Sequence, residues 1–129
     1  MRIITVIASV ILFLHGLIHL MGAAAYLKLT EIEQLPYKTT VLGGRWDLGS
    51  SGTAIFGILW AVAAIGFVLT AIALFGNWDW WRAILIGVTL FSLVLTSLDW
   101  GVAFAGVVVN IAILLILFLG PWISKLIAA

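Results

Sequence analysis

Two histidines one helical turn apart, His15 and His19, stand in an otherwise apolar stretch and are the sharpest chemical signal in the chain. Residues four apart share a helical face, so both imidazoles can address one ligand, one metal ion or each other. The i, i+4 spacing is that of zinc-binding helices, with Asp99 or Asp47 as a candidate third ligand. The zincin pattern also needs a Glu beside the first His, whereas position 16 is Gly. Haem fits less well, because bis-His ligation requires rings on two helices, which leaves single-His ligation. Acid–base catalysis by His15 or His19 with Asp99 is chemically open, but no phosphate loop, nucleophile elbow or other catalytic signature identifies a substrate. The absence of cysteine excludes disulfides, Cys-ligated zinc, iron–sulfur clusters and thiol redox chemistry.

The elements that must position these residues follow from composition. Of 129 residues, 65% are hydrophobic and 9% charged, and the mean hydropathy is +1.33. Soluble domains are about 25% charged, so this composition belongs in a bilayer. Four apolar windows reach the roughly 20 residues needed to span one: Ile3–Tyr26, Gly52–Phe75, Trp81–Leu98 and Gly101–Leu119. Residues 1–129 are thus expected to form a single domain, an all-α, antiparallel four-helix integral membrane bundle. Arg2, the apolar run after it and Ala23-Ala24-Ala25 imitate a secretory signal peptide; we read the segment as the first membrane helix. Gly76 is expected to end the second helix, and Gly120-Pro121 to stop the fourth. The Leu27–Ser51 loop should hold at most a short interfacial helix, since Leu35-Pro36 disfavours a helix through that point. Trp78, Trp80, Trp81, Trp100 and Trp122 fall at helix ends, as interfacial aromatic belts do.

Depth brings the polar residues together. Let side A hold both termini and side B the long loop. His15 lies about 20 Å along its helix from side A and His19 about 26 Å, while Asn110 lies about 15 Å into the fourth helix from side B. Asp99 closes the third helix on side B, where Arg45, Asp47, Ser50 and Ser51 also sit. Each helix shows an inward seam: His15, His19 and Gly22; Ala54, Gly57, Ala61 and Ala64; Thr89, Ser92, Thr96 and Asp99; Ala103, Gly106 and Asn110. Ionisable groups at membrane depth usually mark ligand sites, pathways or proton relays. The expected site is therefore a polar intramembrane pocket of His15, His19, Asp99 and Asn110, with Asp47 and Arg45 at its mouth. The bland alternative is interhelical hydrogen bonding, for which His, Asn, Ser and Thr are also used. For Arg45 and Asp47 it is a surface pair or a helix cap.

Around His15-Gly16-Leu17-Ile18-His19-Leu20 the chain resembles small four-helix bacterial inner-membrane proteins whose first helix reads H-G-x-x-H-L. In these an acidic residue opens the last helix and an Asn follows, a layout matched by Asp99 and Asn110. The segment is also similar to the DoxX-like family, whose first helix tends to carry H-G-x-x-K-L; His19 stands where that Lys would be. The resemblance implies a four-helix bundle in a bacterial cytoplasmic membrane, associated with respiratory or quinone-linked redox partners.

The leading expectation is a membrane binding or accessory protein whose pocket holds a lipophilic ligand, a quinone or a proton. The alternatives are a metal- or haem-dependent membrane enzyme using His15 and His19 as ligands, and a structural subunit of a larger complex. The expected partners are lipid, other membrane subunits or further copies of the chain. Nucleic acid is excluded, because the net charge is only +1 and no basic cluster exists. Lys and Arg divide evenly between the two sides, and the free amino terminus adds a positive charge to side A, which tips the termini towards the cytoplasm.

Overall fold

The computed structural model describes residues 2–128. Four long helices dominate it: α1 Arg2–Tyr26, α2 Gly49–Phe75, α3 Trp81–Leu98 and α4 Trp100–Ala128. All four are long and apolar enough to cross a membrane. Even α3, the shortest at 18 residues, reaches about 27 Å at 1.5 Å per residue.

Burial runs opposite to that of a water-soluble protein. Ile3, Ile65 and Ile116 are about two-thirds exposed or more, whereas Thr53, Thr70, Thr89, Ser92, Thr96, His19 and Asn110 are fully buried. In water such an apolar surface would aggregate; against lipid it costs nothing. Thr53, Thr70 and Thr96 return their hydroxyls to backbone carbonyls, Thr53 to that of Gly49 at 2.7 Å, while the buried Thr89 hydroxyl finds no partner among the described residues.

Successive helices pack on one another, α1 on α2, α2 on α3 and α3 on α4. Small residues set the closest approach, as the seam of the second helix led us to expect. A Cβ added to Gly57 would lie 2.9 Å from Leu27 and 3.1 Å from the Tyr26 Cβ, and one added to Gly16 would lie 3.0 Å from the Ala64 carbonyl oxygen. The α1–α4 side is looser, and a cavity opens there.

Two boundaries depart from expectation by more than one residue, the start of α2 and the end of α4. α2 begins at Gly49, three residues before Gly52, because the Asp47 carboxylate accepts the Gly49 N–H at 2.9 Å and anchors the first turn. At the other end of α2, Gly76 caps the helix in right-handed conformation, and Asn77 takes the left-handed turn. Trp78 then donates to the Ala73 carbonyl and Asn77 to that of Leu74, the paired bonds of a Schellman ending. The largest correction concerns α4, which Gly120-Pro121 does not stop; the helix continues through Pro121 to Ala128. Proline removes the N–H that would bond the carbonyl four residues back, here that of Leu117. The Arg82 guanidinium on α3 donates to that oxygen at 2.6 Å. A neighbouring helix thus repairs the gap, as membrane helices allow.

The loop between α1 and α2 carries no helix but a small hairpin, β1 Thr40–Val41 against β2 Trp46–Asp47. Leu42, Gly43 and Gly44 turn it with positive φ. The Leu42 N–H donates to the Leu98 carbonyl at 2.9 Å, tying the loop to the end of α3.

Candidate functional site

His15 and His19 both face inward and are buried. Their surroundings fix the direction of every hydrogen bond between them. His19 Nδ1 lies 2.9 Å from the His15 carbonyl, which can only accept, so Nδ1 carries the proton. Nε2 of the neutral ring is then an acceptor, and the Ser92 hydroxyl donates to it at 2.6 Å. With its proton so committed, Ser92 Oγ accepts from Asn110 Nδ2 at 2.8 Å. The same amide nitrogen reaches Thr96 Oγ1 at 3.3 Å. That orientation turns Asn110 Oδ1 towards His15, whose Nε2–H donates to it at 3.1 Å. One uncharged network therefore joins α1, α3 and α4. α2 supplies its aromatic wall: the Phe67 ring stands edge-on to His15 at 4.6 Å, and Trp60 lies 5.2 Å from His19.

Beside this network lies a cavity of about 200 Å³ between α1 and α4. His15, His19 and Trp60 form one side, Ala103, Ala105 and Gly106 the other. Gln34 and Leu35 of the loop close the remaining end, and none of the lining side chains is Asp, Glu, Lys or Arg. Room for the Trp60 indole comes from Gly22, where an added Cβ would fall 2.6 Å from the ring.

Asp99 caps α3 and is 2% exposed, but its bonding partners are other than the histidines. Its carboxylate accepts from the Tyr26 hydroxyl and from Lys38 Nζ, the latter at 2.5 Å. Lys38 also donates to the Tyr26 oxygen at 2.9 Å. This closed triangle, one positive and one negative charge with a shared phenol, fastens the loop onto the ends of α1 and α3.

Of the residues expected to share one pocket, His15, His19 and Asn110 are brought together. Asp99 belongs to the adjacent clasp. Arg45 and Asp47 are exposed on the hairpin, away from the cavity lining. Asp47 precedes the N-cap residue Leu48 and accepts the Gly49 N–H from that place; this bond, followed by the Thr39 side chain, holds its carboxyl below the usual carboxylate range. The metal reading of His15 and His19 fits the donor set poorly. Both ring nitrogens of His19 are engaged, and no group of three or more His, Cys, Asp or Glu gathers among the described residues. Haem fits no better, since an apolar cavity of about 150 Å³ already suits benzene and 200 Å³ leaves no room for a macrocycle.

Sequence reasoning missed Tyr26, Lys38, Trp60 and Gln34. Tyr26 reads as a helix end, and Trp60 is indistinguishable from a lipid-facing aromatic. Lys38 and Gln34 sit in a loop without periodicity. Compared with family models, curated proteins and solved structures, the chain matches none.

Proposed function

We propose that this chain is an integral membrane protein, an antiparallel four-helix bundle, that holds a small lipophilic ligand in the cavity between α1 and α4. The observation that carries the reading is the cavity itself, about 200 Å³, uncharged, and walled by the imidazoles and Trp60. The cavity opens outward past exposed Ile18, Met21 and Ala105, so a molecule dissolved in lipid has a route to the imidazoles and Trp60. In the leading sequence expectation the ligand was a lipophilic molecule, a quinone or a proton, and the size and neutrality of the cavity favour the first; a quinone head is one molecule of that kind. A proton path is less well supported, because the Asn110 amide stands between Ser92 and His15 and a carboxamide neither readily gains nor readily loses a proton.

Photolabelling in reconstituted membranes tests the reading. A neutral aryl diazirine should label Met21 and Val109, which line the cavity, ahead of the exposed Ile55 and Ile116, which do not line it. The preference should vanish in Ala105→Phe, which fills the space. Labelling spread evenly over all four positions would contradict it.

A further inference from the structure

Resting on that binding reading, we infer that the ligand is a neutral, single-ring molecule with one polar substituent, and that Gln34 is the residue that receives the substituent. Three observations converge. The first is size: drug-sized ligands occupy about 300–1,000 Å³ and benzene about 150 Å³, so about 200 Å³ accommodates one ring with small substituents. The looser α1–α4 side leaves an opening for an attached chain.

The second is charge. With no Asp, Glu, Lys or Arg side chain on the lining and both imidazoles held neutral in the network, an ion entering would lose its hydration and meet no counter-charge. Lys38 and Asp99 neutralise one another in the adjacent clasp.

The third is the inventory of polar atoms. His19 spends both nitrogens on His15 and Ser92. Thr96 donates to the Ser92 carbonyl and accepts from Asn110. Two lining groups keep hydrogen-bonding capacity: the Trp60 Nε1–H, buried and without a partner, is a donor only, whereas Gln34, which makes no hydrogen bond to a described residue, offers both a donor and an acceptor. It belongs to the loop, so the polar end of the ligand faces the loop and its apolar end lies deeper, beside Val109 and the histidines.

The test uses the full chain in phosphatidylcholine nanodiscs and three fluorinated probes read by ¹⁹F NMR, with empty nanodiscs subtracted. The probes are 4-(trifluoromethyl)phenol, (trifluoromethyl)benzene and 4-(trifluoromethyl)benzoate. The phenol should bind saturably and more tightly than the bare ring, and the benzoate should not saturate. Gln34→Leu should weaken the phenol about tenfold, the equivalent of about 1.4 kcal/mol, and leave the bare ring unchanged. Gln34→Asn should recover part of the loss. Ala105→Phe should abolish both. Gln34 and Ala105 are exposed, so neither substitution strains the fold, and an unchanged melting temperature checks this. Benzoate binding as tight as the phenol, or a phenol affinity indifferent to Gln34→Leu, overturns the inference while leaving a binding cavity in place. If none of the three probes saturates, the binding reading fails with it.

Discussion

Removing Arg82 should cost stability only while Pro121 is present. The Leu117 carbonyl lacks its helical donor because residue 121 is proline, and Arg82 Nη2 supplies a substitute at 2.6 Å. Hydrogen bonds to charged groups are worth about 1.5–3 kcal/mol, whereas interhelical bonds in membranes average about 0.6 kcal/mol. Arg82→Met should therefore destabilise the protein by about 1–2 kcal/mol. Pro121→Ala restores the N–H, so the same Arg82→Met change in that background should cost little. The difference between the two costs is the coupling energy of a double-mutant cycle. Equilibrium unfolding in bicelles measures each of the four proteins. Equal costs of Arg82→Met in both backgrounds would refute the reasoning and leave the continuity of α4 without its explanation.

Three further outcomes follow from named contacts. Gly57→Leu should destabilise by roughly 1–3 kcal/mol through overpacking against Tyr26 and Leu27, and an unchanged melting temperature would place that face towards lipid. Lys38→Met strands the buried Asp99 carboxylate; breaking a buried pair costs about 3–5 kcal/mol, reduced here because the Lys38 side chain is 34% exposed. The double variant Lys38→Met/Asp99→Asn should recover part of that loss in chemical denaturation. Asp47 titrates below its ordinary value because the Gly49 N–H and Thr39 favour the carboxylate. Its contribution is thus fully present above the unfolded value of about 3.9 and lost as pH falls through the lower folded value. The Gly49 amide shift should follow that titration and become flat in Asp47→Asn.

Apolar length was the most legible property of the sequence, because it is one-dimensional. The start and end of α3 and the end of α2 fall where the windows placed them. The end of α4 was not legible, since the group that rescues Leu117 lies 35 residues away on another helix. Three-and-four spacing placed His15, His19, Ser92, Thr96 and Asn110 on inward faces, which is all that spacing can do. It could not say which polar group meets which. Asp99 and Asn110 were equally good partners for the histidines until the loop delivered Lys38 to one of them. The hairpin carrying Arg45 and Asp47 was illegible for a similar reason. Its strands are two residues long and held by the Leu42–Leu98 bond and the clasp rather than by any pattern of their own.

The most direct measurement is an experimental structure of the protein purified from its own membrane in a lipid environment. Compact density the size of one substituted ring is expected in the α1–α4 cavity, in contact with Gln34 and beside an intact His19–Ser92–Asn110–His15 network. A cavity closed by direct packing of α1 on α4, or filled by a lipid acyl chain alone, would contradict that expectation.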